Sequence, residues 1–143
     1  MDAIKLDIGV VKQAYSTQNG GIFYLDTTDT NVVTRFSEKY SEIQKLAAEY
    51  GQLDESREGA KDESSIKEIG EKMRDLDDRV KAAVDYIFDD GVSCAIWGKS
   101  AAVLSLDKVF DKLLGLYSKE ISKAVAASKQ RINRAIPKQY QKK

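Results

Sequence analysis

The chain has 143 residues, no histidine, one cysteine and one proline, and its 23 Lys/Arg balance its 23 Asp/Glu. This excludes Ser–His and Cys–His nucleophilic machinery, His-containing metal sites and an internal disulfide, and it suits one helix-rich domain. The zero net charge conceals a polarity, because residues 1–90 carry 12 Lys/Arg against 20 Asp/Glu and residues 91–143 carry 11 against 3. Such asymmetry fits head-to-tail association, an oppositely charged partner, or two halves lying against each other in one monomer. The start, MDAIKLDIG, lacks the basic residues and apolar run of a signal peptide, and no apolar stretch approaches the roughly 18 residues of a membrane span. A cytoplasmic protein without membrane contact is expected.

The first predicted element is a β-hairpin over about residues 3–25. Ile4, Leu6 and Ile8 alternate with Lys5 and Asp7, Ile22 to Leu25 are β-formers, and Asn19-Gly20-Gly21 supplies the turn. Gly9–Ala14 fits either strand or loop. A helix over about 30–50 follows, capped by Asp29 or Thr30, with Val33, Phe36, Tyr40, Ile43, Ala47 and Tyr50 on one stripe. Gly51 is its expected stop, and GQLDESREGAKDES (51–64) reads as a flexible acidic linker.

A second helix is expected over about 65–88, opened by Ser64 or Ser65 with Glu68 completing a capping box. Ile66, Ile69, Met73, Leu76, Val80, Ala83 and Ile87 keep a heptad-like rhythm, suited to a seam inside the bundle or, less naturally, to a dimeric coiled coil. Asp75, Asp77 and Asp78 read as a solvated face. Asp89-Asp90-Gly91 ends this helix, and Ser93 opens a single turn over 93–97 that Gly98 closes. One long helix over about 105–127 carries Leu106, Val109, Phe110, Leu113, Leu114, Tyr117, Ile121 and Val125. Residues 128–143 are a basic tail interrupted by Pro137. The expected fold is mainly α: a short N-terminal β-hairpin followed by a three-to-four-helix bundle over residues 1–127, with a flexible basic C-terminal tail.

Gly98-Lys99-Ser100 spells the end of a phosphate-binding loop, but the glycine required five residues earlier is Ser93, and no strand precedes it. Neither nucleotide chemistry nor any other enzymatic role is expected. Cys94 reads as a small packed residue. The basic C-terminus alone argues for nucleic acid. Against it stand a pI near 6.3 and the helical spacing of Ile132, Ile136 and Tyr140, so nucleic acid is not expected.

Three segments in order, LDTTDTNVVTRFSEKYSEI (25–43), VDYIFDDGVSCAIWG (84–98) and LSLDKVFDKLLGLY (104–117), resemble the tail assembly chaperones of long-tailed, siphovirus-type bacteriophages of Gram-positive bacteria. Trp97 stands where that family more often has Phe. The resemblance implies a self-associating protein without cofactor. It would bind the tape measure protein, keep it soluble and help recruit tail tube subunits. It would act in the host cytoplasm and be absent from the finished virion. Candidate contact residues for partner and self are Phe88, Val92, Ile96, Trp97, Leu106, Phe110 and Leu114, with Lys129, Arg131, Arg134 and Lys138 from the basic end. Ile87, Phe88, Ile96 and Trp97 are expected to fill the corner between the second and third helices, Trp97 serving as core more readily than as surface. The alternatives are a structural virion component, such as a tail completion or head–tail connector protein, and a small helical adaptor.

Overall fold

The computed structural model describes residues 3, 4 and 12–135. As expected, a two-stranded antiparallel hairpin precedes a set of helices. Strand β1 (Gln13–Ser16) pairs with β2 (Ile22–Leu25), placing Tyr15 opposite Phe23 and Gln13 opposite Leu25. Strand β1 falls within the expected hairpin over about residues 3–25. The Thr17–Gly21 turn closes on itself through Thr17 N–H to Gly21 C=O (2.8 Å) and Gly20 N–H to Thr17 C=O (3.0 Å), which fixes the register. Ile4 is exposed and unpaired with the hairpin, while Leu6 and Ile8 lie outside the described residues.

Helix α1 runs from Asn31 to Gly59, eight residues beyond the predicted stop at Gly51. Asp29 opens it, its carboxylate accepting the Asn31 N–H at 2.9 Å, and Thr30 makes no side-chain cap. Gly51 does not end the helix. It faces open space, so it costs only the propensity difference from alanine, about 1 kcal/mol. Beyond it Leu53 still packs against the core, and Arg57 pairs with Asp54 at 2.6 Å. The expected flexible linker 51–64 thus shrinks to Ala60–Asp62. Helix α2 (Glu63–Ile87) is capped by Asp62, which accepts the Ser64 N–H (3.2 Å) and faces the Ser65 hydroxyl (3.4 Å). The Ser65–Glu68 capping box is not formed, because the Asp62 carboxylate takes that position first.

The face of α2 read as solvated is not uniform. Asp77 is buried, accepting the N–H groups of Ala102 (2.8 Å) and Val103 (3.2 Å) and pairing with Lys81 at 3.1 Å. Two turns on, Asp85 accepts the N–H (2.8 Å) and hydroxyl (3.1 Å) of Ser93. Ser93 therefore does not cap the short helix α3 (Val92–Trp97). Gly91 precedes it with φ 85°, a torsion that only glycine takes without strain. A 3₁₀ turn (Val103–Ser105) leads into α4 (Leu106–Leu114).

The predicted single helix over 105–127 is broken at residues 115–118. The chain tightens there into i→i+3 bonds, Leu116 to Leu113 and Tyr117 to Leu114. The Ser118 hydroxyl then accepts the Ile121 N–H, and α5 (Lys119–Ala135) starts afresh. Gly115 and Ser118 are poor interior helix residues, and the break lets α5 lie along α1 instead of continuing the line of α4. Residues 128–135 of the expected tail belong to this helix. Ser128 is buried, with its hydroxyl against that of Ser37, and the Lys129 ammonium sits 5.7 Å from the Tyr40 ring centre. Ile136, Pro137 and Lys138 lie outside the described residues.

An aromatic cluster joins these helices. Phe36 stacks on Tyr40 (4.7 Å between centroids) and meets Phe110 edge-on (5.7 Å), and Phe88 lies between Phe110 (5.8 Å) and Tyr117 (6.3 Å). Such pairs contribute about 0.5–1.5 kcal/mol each beyond their buried area.

Gly51→Ala should raise stability by about 0.5–1 kcal/mol in denaturant titration. Amides 53–59 should also be protected in hydrogen exchange, whereas a flexible linker would leave them unprotected. Asp77→Ala should cost about 3 kcal/mol, because two buried N–H groups and Lys81 lose their acceptor. Asp75→Ala and Asp78→Ala should stay within about 0.5 kcal/mol, and equal effects at all three would contradict the buried role of Asp77. Burial pushes the Tyr117 phenol up to about 12. Because the raised pKa favours the neutral form in the folded chain, this stabilisation is full below about pH 10 and is lost as pH rises towards 12. Its size is on the order of 2 kcal/mol, so wild type should lose more stability than Tyr117→Phe over that interval.

A candidate binding groove between the hairpin and helix α4

Most of the apolar residues singled out in the sequence are consumed by the core. Phe88, Val92, Trp97, Leu106 and Phe110 are all buried, and the Trp97 indole N–H donates to the Ser105 hydroxyl at 2.8 Å. Trp97 is thus core, tying α3 to the start of α4. Ile96 and Leu114 are half-buried. Of the basic set, Arg131 and Arg134 are exposed on α5, Lys129 leans on Tyr40, and Lys138 lies outside the described residues.

The hairpin is seated directly on α3. The Thr17 hydroxyl donates to the Ala95 carbonyl (2.9 Å) and accepts the Gly21 N–H (3.0 Å), and the Asn19 amide reaches the Ile96 carbonyl (3.4 Å). A Cβ on Gly21 would lie 2.8 Å from the Ala95 Cα, so glycine is required there by close approach of two backbones. With the hairpin held this way, a groove of about 570 Å³ opens between it and α4. Phe23 and Leu113 form its buried floor, and Tyr15 stacks on Phe23 at 5.5 Å as one wall. Ile96, Val109 and Leu116 complete the apolar surface, with Leu116 36% exposed.

Lys108 and Lys112 stand on the rim. Neither takes part in an ion pair among the described residues, where every such pair draws its cation from residues 12–81. The acidic and basic parts of the chain are therefore not joined to each other by ion pairs among the described residues. The sequence reading included Val109 and Leu113 in a helical stripe but did not separate them from the core. The available signal was the width of that stripe, too broad for one packing partner, with lysines at 108 and 112 beside it.

The Gly98-Lys99-Ser100 stretch is a helix stop. The Gly98 N–H bonds the Cys94 carbonyl (2.9 Å), the Ser100 N–H bonds the Trp97 carbonyl (2.8 Å), and the Gly98 carbonyl receives the Lys81 ammonium (3.3 Å). These N–H groups are spent internally, and the segment follows helix α3 where a phosphate loop follows a strand. Cys94, expected to be packed, is exposed on the outer side of α3. A cleft below the hairpin gathers Asp26, Asp29, Asp85, Asp89 and Asp90 around Lys12 and Arg35. Arg35 binds Asp29 (2.8 Å) and the Ile87 carbonyl (2.8 Å), and Lys12 binds Asp89 (2.7 Å), holding the Asp89 carboxyl below its usual range. No group of three or more His, Cys, Asp or Glu among the described residues is placed to hold a metal ion, and no helix there is long and apolar enough to cross a membrane. No known protein family, curated protein or solved structure matches the chain.

Proposed function

We propose that the chain is an assembly chaperone of the phage-tail type, binding an amphipathic helix of the tape measure protein and keeping that protein soluble while tail tube subunits are recruited. The groove between the hairpin and α4 is the observation that carries this. It is apolar along its floor, open to solvent and rimmed by two lysines outside every ion pair among the described residues, which suits an apolar helix face flanked by acidic residues. The likeness of residues 25–43, 84–98 and 104–117 to tail assembly chaperones supports the identity of the client. A groove of this size gives modest affinity per site. Many weak sites along a long client would hold it by avidity and still release it when the tail forms. This role uses no cofactor and no catalytic group, and it is carried out in the host cytoplasm by a protein that does not remain in the virion. A structural virion component would instead stay in purified particles.

Co-expression with the long helix-rich protein encoded nearby tests the proposal. The client should be soluble only with this chain present. Leu116→Glu and Lys112→Glu, both at exposed positions, should each weaken capture about tenfold or more without unfolding the chain. A client equally insoluble with and without the chain would overturn the proposal.

A further inference from the structure

The cations of α5 take no part in the groove. Over Lys119–Ala135 the helix carries Lys119, Lys123, Lys129, Arg131 and Arg134 against one carboxylate, Glu120. Lys129 leans on Tyr40, and the other four cations are exposed and outside every ion pair among the described residues. Ile121, Val125 and Ser128 are buried, and Ile132 packs against the core. At about 100° per residue, Lys119, Lys123 and Arg134 fall on the side opposite these, with Arg131 at its margin. The spacing of Ile132, which argues against nucleic acid in the sequence, therefore belongs to the inner face and leaves the outer one free. The pI near 6.3 averages this helix with the acidic residues 1–90.

We infer that the outer face of α5 binds the phosphate backbone of a nucleic-acid duplex, without regard to sequence. Lys119 and Arg134 are about 22 Å apart along the helix axis, the rise of about six phosphates on one strand. The remaining exposed positions of α5 are Glu120, Gln130 and alanines, and alanines let a phosphate backbone approach closely. No large apolar side chain is exposed on the helix among the described residues. It therefore offers neither an apolar anchor for a protein interface nor an apolar edge for a lipid surface. No aromatic ring is exposed there to stack on bases, so the contact is to phosphates alone and a duplex serves. Such contacts sustain nonspecific binding by counterion release, and the affinity falls steeply with salt. The face shares no residue with the groove, and the inference does not rest on the proposed function.

Fluorescence anisotropy of a labelled duplex of about 20 base pairs, titrated with the full chain, provides the test. Binding should be micromolar at about 50 mM salt and about 100-fold weaker at about 200 mM, because four phosphate contacts give a log–log slope of about −3.6. An unlabelled duplex of unrelated sequence should compete equally well. Lys123→Gln and Arg134→Gln, both at exposed positions, should each weaken binding about tenfold and make the slope shallower by about 1. Lys61→Gln, exposed in the connection between α1 and α2, should change neither. No binding at about 50 mM salt, a slope unmoved by both α5 substitutions, or better competition by poly-glutamate than by duplex would overturn the inference. Lys123→Gln leaves the groove intact, so client capture should be unchanged, and either idea can fail without the other.

Discussion

Two carboxylates on α2 organise everything that follows that helix. Asp85 holds the backbone of α3 through Ser93, and Asp77 holds the turn into α4 through Ala102 and Val103. They are eight residues apart, about 80° round the helix, so both project from one broad face of it. Residues 89–106 hold only short helical turns, and without these acceptors the N–H groups of Ser93, Ala102 and Val103 would lose their partners. The position of α3 in turn sets that of the hairpin, which rests on Ala95 and Ile96, and the position of α4 sets the opposite wall of the groove. A change at Asp77 therefore acts on a surface to which Asp77 contributes no atom.

The order of elements and the seam of α2 were legible because both depend on periodicity over long segments. Features that depended on tertiary partners were not. Residues 52–59 read as linker because they are polar, yet a helix already under way needs only an occasional anchor such as Leu53 to continue. The break after Leu114 was hidden because Tyr117, Ile121 and Val125 keep helical spacing across it. Asp77 looked the same as Asp75 and Asp78, since composition does not distinguish a carboxylate that caps a distant turn from two in solvent. The sequence left the register of the hairpin open because the connection, longer than a two-residue turn, leaves it to bonds such as Thr17 to Gly21. Of the candidate site, the residues in the stripe were seen, but their division between core and groove was not. That division requires knowing where the hairpin sits.

The charge polarity gains physical content from the fold. Among the described residues, ion pairs operate within the first two-thirds of the chain, largely between neighbours along one helix, and leave the rim lysines of α4 and the exposed cations of α5 to solvent. Apart from the buried Lys81–Asp77 pair, these pairs are largely exposed and contribute about 0–1 kcal/mol each, so the polarity adds little to the stability of the monomer. Its larger effect is on encounter, steering acidic surfaces towards the basic end over distances of about a Debye length.

Gly21 differs from the other described glycines in what forbids its replacement. Gly91 is fixed by its own torsion, while Gly51, Gly59 and Gly70 face open space and meet no obstacle to a side chain. At Gly21 the obstacle belongs to another element, the backbone of Ala95. Through evolutionary time the helical glycines are free to drift, whereas position 21 can accept a side chain only if α3 moves away from the hairpin. A descendant sequence with a larger residue there would carry a relocated hairpin and a differently shaped groove.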